Sequence, residues 1–288
     1  MNFETFDDAV YWRKIHRKKL EVGNKRQRLA ARTLKKCRNR HRCETEGCRI
    51  CMREFRIGWT GEAVKIMLQR PLWTRCSIIT KGLLVPYGQL ANFDLNAVIK
   101  RLRKRIQRST LHGRAVLGGL DVSLNIEKNA IVGWQFHPYL IVEGEDDAGL
   151  QQAVKDAFPE EPTALVPYDF AEITDPLEVI TYAYKAEIKR RSGYVGNDGN
   201  HRTKHQRLKG PDIRKLLPFL AKHKVGARLL LAGVRRNGHR LFFTPTKPSS
   251  APGKAMKAAG GAAIAGELDE LMERSGKPVG APKARRAA

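Results

Sequence analysis

The chain has 288 residues, with 54 Lys and Arg against 29 Asp and Glu, a formal charge of +25. That length allows one substantial core with a small module and a tail, and a field of that sign favours polyanions over neutral or cationic partners. No apolar run approaches a membrane span, and Met1-Asn2-Phe3-Glu4 lacks the basic-then-apolar order of a secretory signal. The expected setting is therefore a reducing cytoplasm with free thiols and no membrane partner.

In chain order, residues 1–71 form a basic N-terminal region. Its first part, 1–36, reads as a helix or an arm. Residues 37–56 hold a cysteine cluster, and 57–71 read as a connecting helix stopped by Pro71. The main domain is expected over 72–244. Beyond Pro245 the composition turns to Pro, Gly, Ala, Ser and Lys, which buries little, so 245–288 reads as a disordered basic tail. A short helix at 262–274 is allowed by the sequence. Charge is uneven, since 1–70 and 189–244 are strongly basic while 145–188 is acidic.

Cys37, Cys43, Cys48 and Cys51 are separated by five, four and two residues. Four thiols over so short a span suit tetrahedral zinc, and Cys48-x-x-Cys51 has the usual pair spacing. The first gap is wide, and His41 is an alternative ligand for one position. Such a site is a folding staple, because protein fills every coordination position. Arg38, Arg40, Arg42, Arg49, Arg53 and Arg56 surround it and offer phosphate contacts. Cys76, alone on a strand, reads as a small core residue.

In the main domain, Trp73–Thr80 reads as a strand. Leu95, Val98, Ile99, Leu102 and Ile106 recur at helical spacing and predict a helix over 94–108, with Asp94 or Asn92 as cap. Segments 114–125 and 130–143 read as a hairpin turning near Lys128. A helix over 147–158, a strand over 164–170, a helix over 176–191 capped by Asp175, and a helix over 211–223 follow. Segments 228–234 and 240–243 flank Asn237-Gly238, a hairpin signal. The mixed order predicts an α+β fold: an antiparallel sheet of about five strands with helices on one face, preceded by a zinc-binding module.

Side chains alternate along a strand. Val132, Trp134, Phe136, Leu140 and Val142 form an apolar face, while Gln135, His137 and Tyr139 project from the other. On the partner strand, Asp121 is expected opposite Gln135 and diagonal to His137. A divalent-metal site at His137 and Asp121, helped by Gln135 or Tyr139, is one reading, and a polar sheet surface with an ordinary histidine is the other. Gly118 and Gly119 leave room for a close approach. On the 176–191 helix, Leu177, Ile180, Tyr184 and Ile188 make a core stripe, whereas Glu178, Tyr182 and Lys185 cluster beside it. Tyr182 then faces the cleft and Tyr184 the core.

Cys48-Arg49-Ile50-Cys51, then Leu120-Asp121-Val122, then Trp134 to Val142, then Glu178-x-x-x-Tyr182-x-x-Lys185 resemble, in order and spacing, the HUH endonucleases, and among them the rolling-circle plasmid replication initiators. The resemblance covers roughly residues 37–244. The family's two metal-binding histidines map to His137 and Tyr139, so only one is present. The resemblance implies an endonuclease that nicks origin DNA, single-stranded or hairpin, through Tyr182, leaving a 5′-phosphotyrosyl bond. Lys185 stabilises charge, Glu178 activates water, or the hydroxyl, for termination, and Mg²⁺ or Mn²⁺ at His137 and Asp121 polarises the phosphate. A host helicase is the implied protein partner. Two alternatives remain: a catalytically degenerate DNA-binding regulator of the same fold, and a zinc-stapled RNA-binding protein that uses its sheet as a platform.

Overall fold

Three helices open the chain, and their boundaries follow from local chemistry. The computed structural model describes residues 4–38, 40–70, 72–128, 130–159, 167–195, 201–238 and 240–244. Helix α1 (Phe6–Glu21) starts at a reciprocal cap between Thr5 and Asp8, and α2 (Lys25–Lys36) at one between Asn24 and Gln27. Helix α3 (Arg49–Leu68) begins well before the expected 57, directly after Cys48. Its first turn therefore contains Cys51. Pro71, read as its stop, lies outside the described residues, as do the tail 245–288 and the short helix allowed at 262–274. The described residues belong to one compact unit.

Seven strands form the main sheet, not five. They are β1 (Trp73–Ile78), β2 (Leu84–Pro86), β3 (Val116–Glu127), β4 (Ala130–Glu143), β5 (Tyr168–Glu172), β6 (Lys189–Val195) and β7 (His201–Arg207). Their order is β5-β1-β4-β3-β6-β7, with β2 also paired to β4. All pairs are antiparallel except β3 with β6. Two causes explain the undercount. β2 has three residues, too few to show a period, and β6 and β7, reading KRRSGYV and HRTKHQR, lack apolar alternation. A separate hairpin, β8 (Val234–Asn237) with β9 (Arg240–Phe243), turns at Asn237-Gly238 as its sequence requires.

Helices cover both faces of the sheet rather than one. The even-numbered face, with Leu120, Val122, Phe136 and Leu140, joins the apolar core of α4 (Leu95–Arg108), α5 (Ala148–Ala157) and α7 (Gly210–Leu220). Phe219 of α7 meets Phe136 edge-on, and Cys76 is buried opposite Leu140. Asp94 caps α4 through the Ala97 N–H. Helix α6 (Pro176–Ala183) lies on the opposite, odd-numbered face, where the Tyr182 ring stands 4.9 Å from that of Tyr139.

Helix α6 ends eight residues before the expected Arg191. At Tyr184 the backbone leaves the helical region, and the following chain rises into β6. The physical reason is tertiary: Tyr184 turns inward to a buried carboxylate, and Lys189–Ser192 are captured as a parallel strand beside Ser123–Ile126. Gly119 makes this possible. A Cβ there would lie 2.9 Å from the Tyr184 ring and 3.2 Å from two backbone oxygens, so only glycine lets the end of α6 approach β3.

Candidate functional site

The first centre is the cysteine cluster. Cys37 caps the C-terminus of α2, Cys43 follows a turn closed by paired Arg38 and His41 backbone bonds, and Cys48 and Cys51 straddle the start of α3. The four sulfurs lie within 4.8 Å of one another. Individual separations are 3.5 Å for Cys37–Cys51, 3.6 Å for Cys37–Cys48 and 3.7 Å for Cys43–Cys51. These are too long for disulfides. They match the ~3.8 Å edge of a tetrahedron whose metal–thiolate bonds are ~2.3 Å. The donor set therefore fits zinc, and the α3 N-terminus favours thiolate charge at Cys48 and Cys51. His41 is exposed and is not one of the four.

The arginines around the cluster divide. Arg53 is buried and donates to the Glu4 carbonyl at 2.7 Å, and Arg56 is buried against Glu4 and the Thr181 carbonyl. Arg42 pairs with Glu54. Arg38 and Arg40 line an open groove with His41 and remain available to phosphate.

Glu46, between Cys43 and Cys48, is the residue that sequence reasoning missed most completely. Its carboxylate is buried and accepts the Tyr184 hydroxyl on one oxygen and Arg228 Nε, at 2.9 Å, on the other. The Arg228 guanidinium also donates to the Leu120 carbonyl at 3.0 Å and the Lys185 carbonyl at 3.3 Å. One buried ion pair thus ties the cysteine loop to the residue before Asp121 and to the chain after α6. Burial pushes the Tyr184 hydroxyl pKa up, and the adjoining Glu46 adds to it.

The second centre lies on the odd face. Asp121 pairs directly with His137, not with Gln135: the turn pairs Glu127 with Ala130, one residue off a turn centred on Lys128, and a bulge between Asn125 and Ile126 shifts the register by one more. Both side chains are buried. Asp121 Oδ2 receives His137 Nε2 at 3.0 Å, Arg191 at 3.2 Å and the Lys185 ammonium. Burial alone pushes the Asp121 carboxyl up, but these three neighbours outweigh it and hold the group below the usual carboxylate range. Burial pushes His137 down, against the pull of Asp121. A neutral imidazole that donates from Nε2 results, and its Nδ1 is buried without a hydrogen-bond partner.

Those donors do not fit a catalytic divalent ion. A carboxylate oxygen already shared by an ammonium, a guanidinium and an imidazole N–H would have to give up its cations first. Among the described residues, only the four cysteines gather three or more Cys, His, Asp or Glu ligands. Gln135, the expected auxiliary, is buried and donates to the Thr80 and Phe136 carbonyls, both at 2.9 Å. Tyr139 is buried beside Arg75, and burial raises its pKa to about 12. With Tyr139 beneath Tyr182, this sheet face is not an open platform for stacking RNA bases.

Above this layer sits Tyr182, 44% exposed. Lys185 lies past the helix end, yet its Nζ is 3.3 Å from the Tyr182 hydroxyl and 4.3 Å from its ring centre. The expected juxtaposition is present, although helical phase does not create it. Tyr182 and Lys185 border a cleft of about 540 Å³ with Arg56, Lys189, Arg191 and His205, and with Glu4 and Glu187, which pair with Arg56 and Lys189 and leave a net positive lining. Glu178 is exposed and does not line this cleft; its backbone N–H is taken by the Asp175 cap. Arg191 and His205 escaped sequence reasoning because they sit in strands without apolar alternation. No helix of the described residues is long and apolar enough to cross a membrane. No family model, curated protein or solved structure matches this chain.

Proposed function

We propose that this protein binds DNA and opens one strand through Tyr182, as an initiator of plasmid replication by the rolling-circle route. The observation that carries the reading is an exposed tyrosine hydroxyl held against a lysine ammonium at the mouth of a cationic cleft. In the step proposed, the Tyr182 oxygen attacks phosphorus and the bond to the 3′ oxygen breaks. Tyr182 then carries the 5′ phosphate, and its proton passes to solvent while the departing 3′ oxygen gains one. Lys185 stabilises the phenolate and, with Arg191, the charge that develops on the phosphate oxygens. Asp121 and His137 act one layer down: the carboxylate holds both cations, and the imidazole holds the carboxylate. The step needs no Mg²⁺ or Mn²⁺ at Asp121, because Lys185 and Arg191 already supply positive charge there. Glu178, which the resemblance assigns to the terminating water, is exposed outside the cleft and takes no part in this step. A host helicase would follow the nick.

A second reading, a DNA-binding regulator that does not cleave, is favoured by one feature: the buried carboxylate of the site, Asp121, is neutralised by cations. Incubating the protein with single-stranded origin DNA, with and without Mg²⁺ or Mn²⁺, separates the two. A denaturant-stable adduct from the wild type that Tyr182→Phe does not form supports cleavage. Adduct from Tyr182→Phe moves the nucleophile elsewhere. Binding without adduct under every metal condition leaves the regulator.

A further inference from the structure

Strands β6 and β7 leave the sheet as a ribbon. β6 pairs with β3 only from Lys189 to Ser192, and β3 ends one residue later at Glu127. The β6–β7 ladder continues through Gly193–Thr203 and Tyr194–Arg202 to Val195–His201. β7 is the sheet edge. The two strands carry Lys189, Arg190, Arg191, Arg202, Lys204 and Arg207, and no Asp or Glu. Cross-strand neighbours of like charge repel, as Lys189 and Arg207 do here. Arg190, at the base, is neutralised by Asp212 of α7 at 2.7 Å and 3.1 Å, which anchors the ribbon on the helix. Lys189 pairs with Glu187 at 3.1 Å and Arg191 with Asp121 at 3.2 Å, and the connection between the strands carries one acid, Asp198, so the ribbon stays net cationic with Lys204 exposed. A hairpin that concentrates charge in this way is built for an external polyanion.

We propose that the β6–β7 ribbon enters a groove of duplex DNA flanking the strand held at Tyr182. This rests on the DNA reading above and adds a second element and a second form of DNA to it. Three observations favour a duplex. A two-stranded ribbon is a shape that the ~12 Å major groove admits. Beyond β3 the three pairs from Gly193–Thr203 to Val195–His201 extend roughly 10 Å, enough to reach into a major groove ~8.5 Å deep. A surface for single strands grips bases with stacked aromatics, whereas Tyr194 is the ribbon's one Phe, Trp or Tyr. The ribbon also has two faces with different duties. Lys189, Arg191 and His205 border the Tyr182 cleft, while the exposed Tyr194 and Lys204 belong to the other face, at the pairs Tyr194–Arg202 and Ser192–Lys204. A duplex on the ribbon therefore delivers its adjoining strand to the cleft.

The test uses the full chain with Tyr194 and Lys204 both changed to Ser, neither of which borders the cleft. Fluorescence anisotropy measures binding to a DNA duplex of two helical turns and to one of its strands alone. The double variant should lose roughly tenfold on the duplex, with the salt slope falling by ~0.9 for one lost phosphate contact, and should keep its single-strand affinity. If it melts below the wild type, Lys204→Gln carries the same test. Unchanged duplex affinity overturns the ribbon assignment while leaving the DNA reading intact, and so does an equal loss on the single strand. Wild-type protein that binds neither form overturns both.

Discussion

At the scale of single residues, two tyrosines two positions apart have opposite roles. Tyr184 is buried, its hydroxyl on Glu46 and accepting the Gly226 N–H at 3.1 Å. Phenylalanine there keeps the ring but strands a buried N–H and a carboxylate oxygen, which costs ~1–3 kcal/mol. Tyr182 is half exposed, and among the described residues its hydroxyl meets Lys185. Tyr182→Phe should change stability by less than ~0.5 kcal/mol. Urea melts of the two variants read the difference, and equal midpoints would show that the Glu46 network contributes nothing. Removing Arg228 would leave the Glu46 carboxylate buried with only the tyrosine.

At the scale of elements, the cysteine loop does more than close α2 onto α3. The Glu46 N–H donates to the His223 carbonyl, and Thr45 bridges to Lys224, so the loop is stitched to the chain after α7 as well as to Arg228. Metal analysis of the purified protein should give about one zinc per chain. Stripping the zinc with a strong chelator should lower the melting temperature, because the thiolates then repel and the loop that carries Glu46 loses its clamp. A metal-free protein that melts like the untreated one would refute the staple. The ribbon is the complementary element, since its base is held by Arg190–Asp212, Arg191–Asp121 and Lys189–Glu187 while its two strands contain no Asp or Glu.

At the scale of the whole molecule, charge and protons set two expectations. With a formal charge of +25, DNA affinity should fall steeply with salt, with a log–log slope of roughly −0.9 per phosphate neutralised on duplex. A slope near zero would remove phosphate contact as the basis of binding. The second expectation concerns acid. Burial, then Arg49 and Lys19, pushes His16 down to about 3. The unfolded chain therefore takes a proton near pH 6.5 that the folded chain refuses until about pH 3. Stability contributed by this group is complete above pH 6.5 and declines through that window as pH falls, by at most ~1.4 kcal/mol per unit. His137, also pushed down by burial, acts with the same sign. Thiolate protonation adds an acid loss of its own, so the comparison is between wild type and His16→Gln. The variant should show the shallower decline from pH 7 to 5, and parallel profiles would mean that His16 titrates normally.

Much of the scaffold was legible in the residues themselves. The α4 stripe, the β3–β4 alternation, the Asn237-Gly238 turn and the Cys48-x-x-Cys51 pair depend on neighbours a few positions apart, so propensity and spacing specify them. Tyr182 beside Lys185 was legible too, but for an incomplete reason: the two meet across a helix end, not along a helix. What remained hidden depends on distance in sequence. Asp121 and Arg191 are 70 positions apart, and Glu46 and Arg228 are 182 apart. β6 and β7 are strands because a sheet edge and Asp212 receive them, against a composition that gives no periodic signal. Which carboxylates are buried, and which cations neutralise them, follows from tertiary packing, because the cost of burying a charge is decided by the groups that surround it in the folded chain.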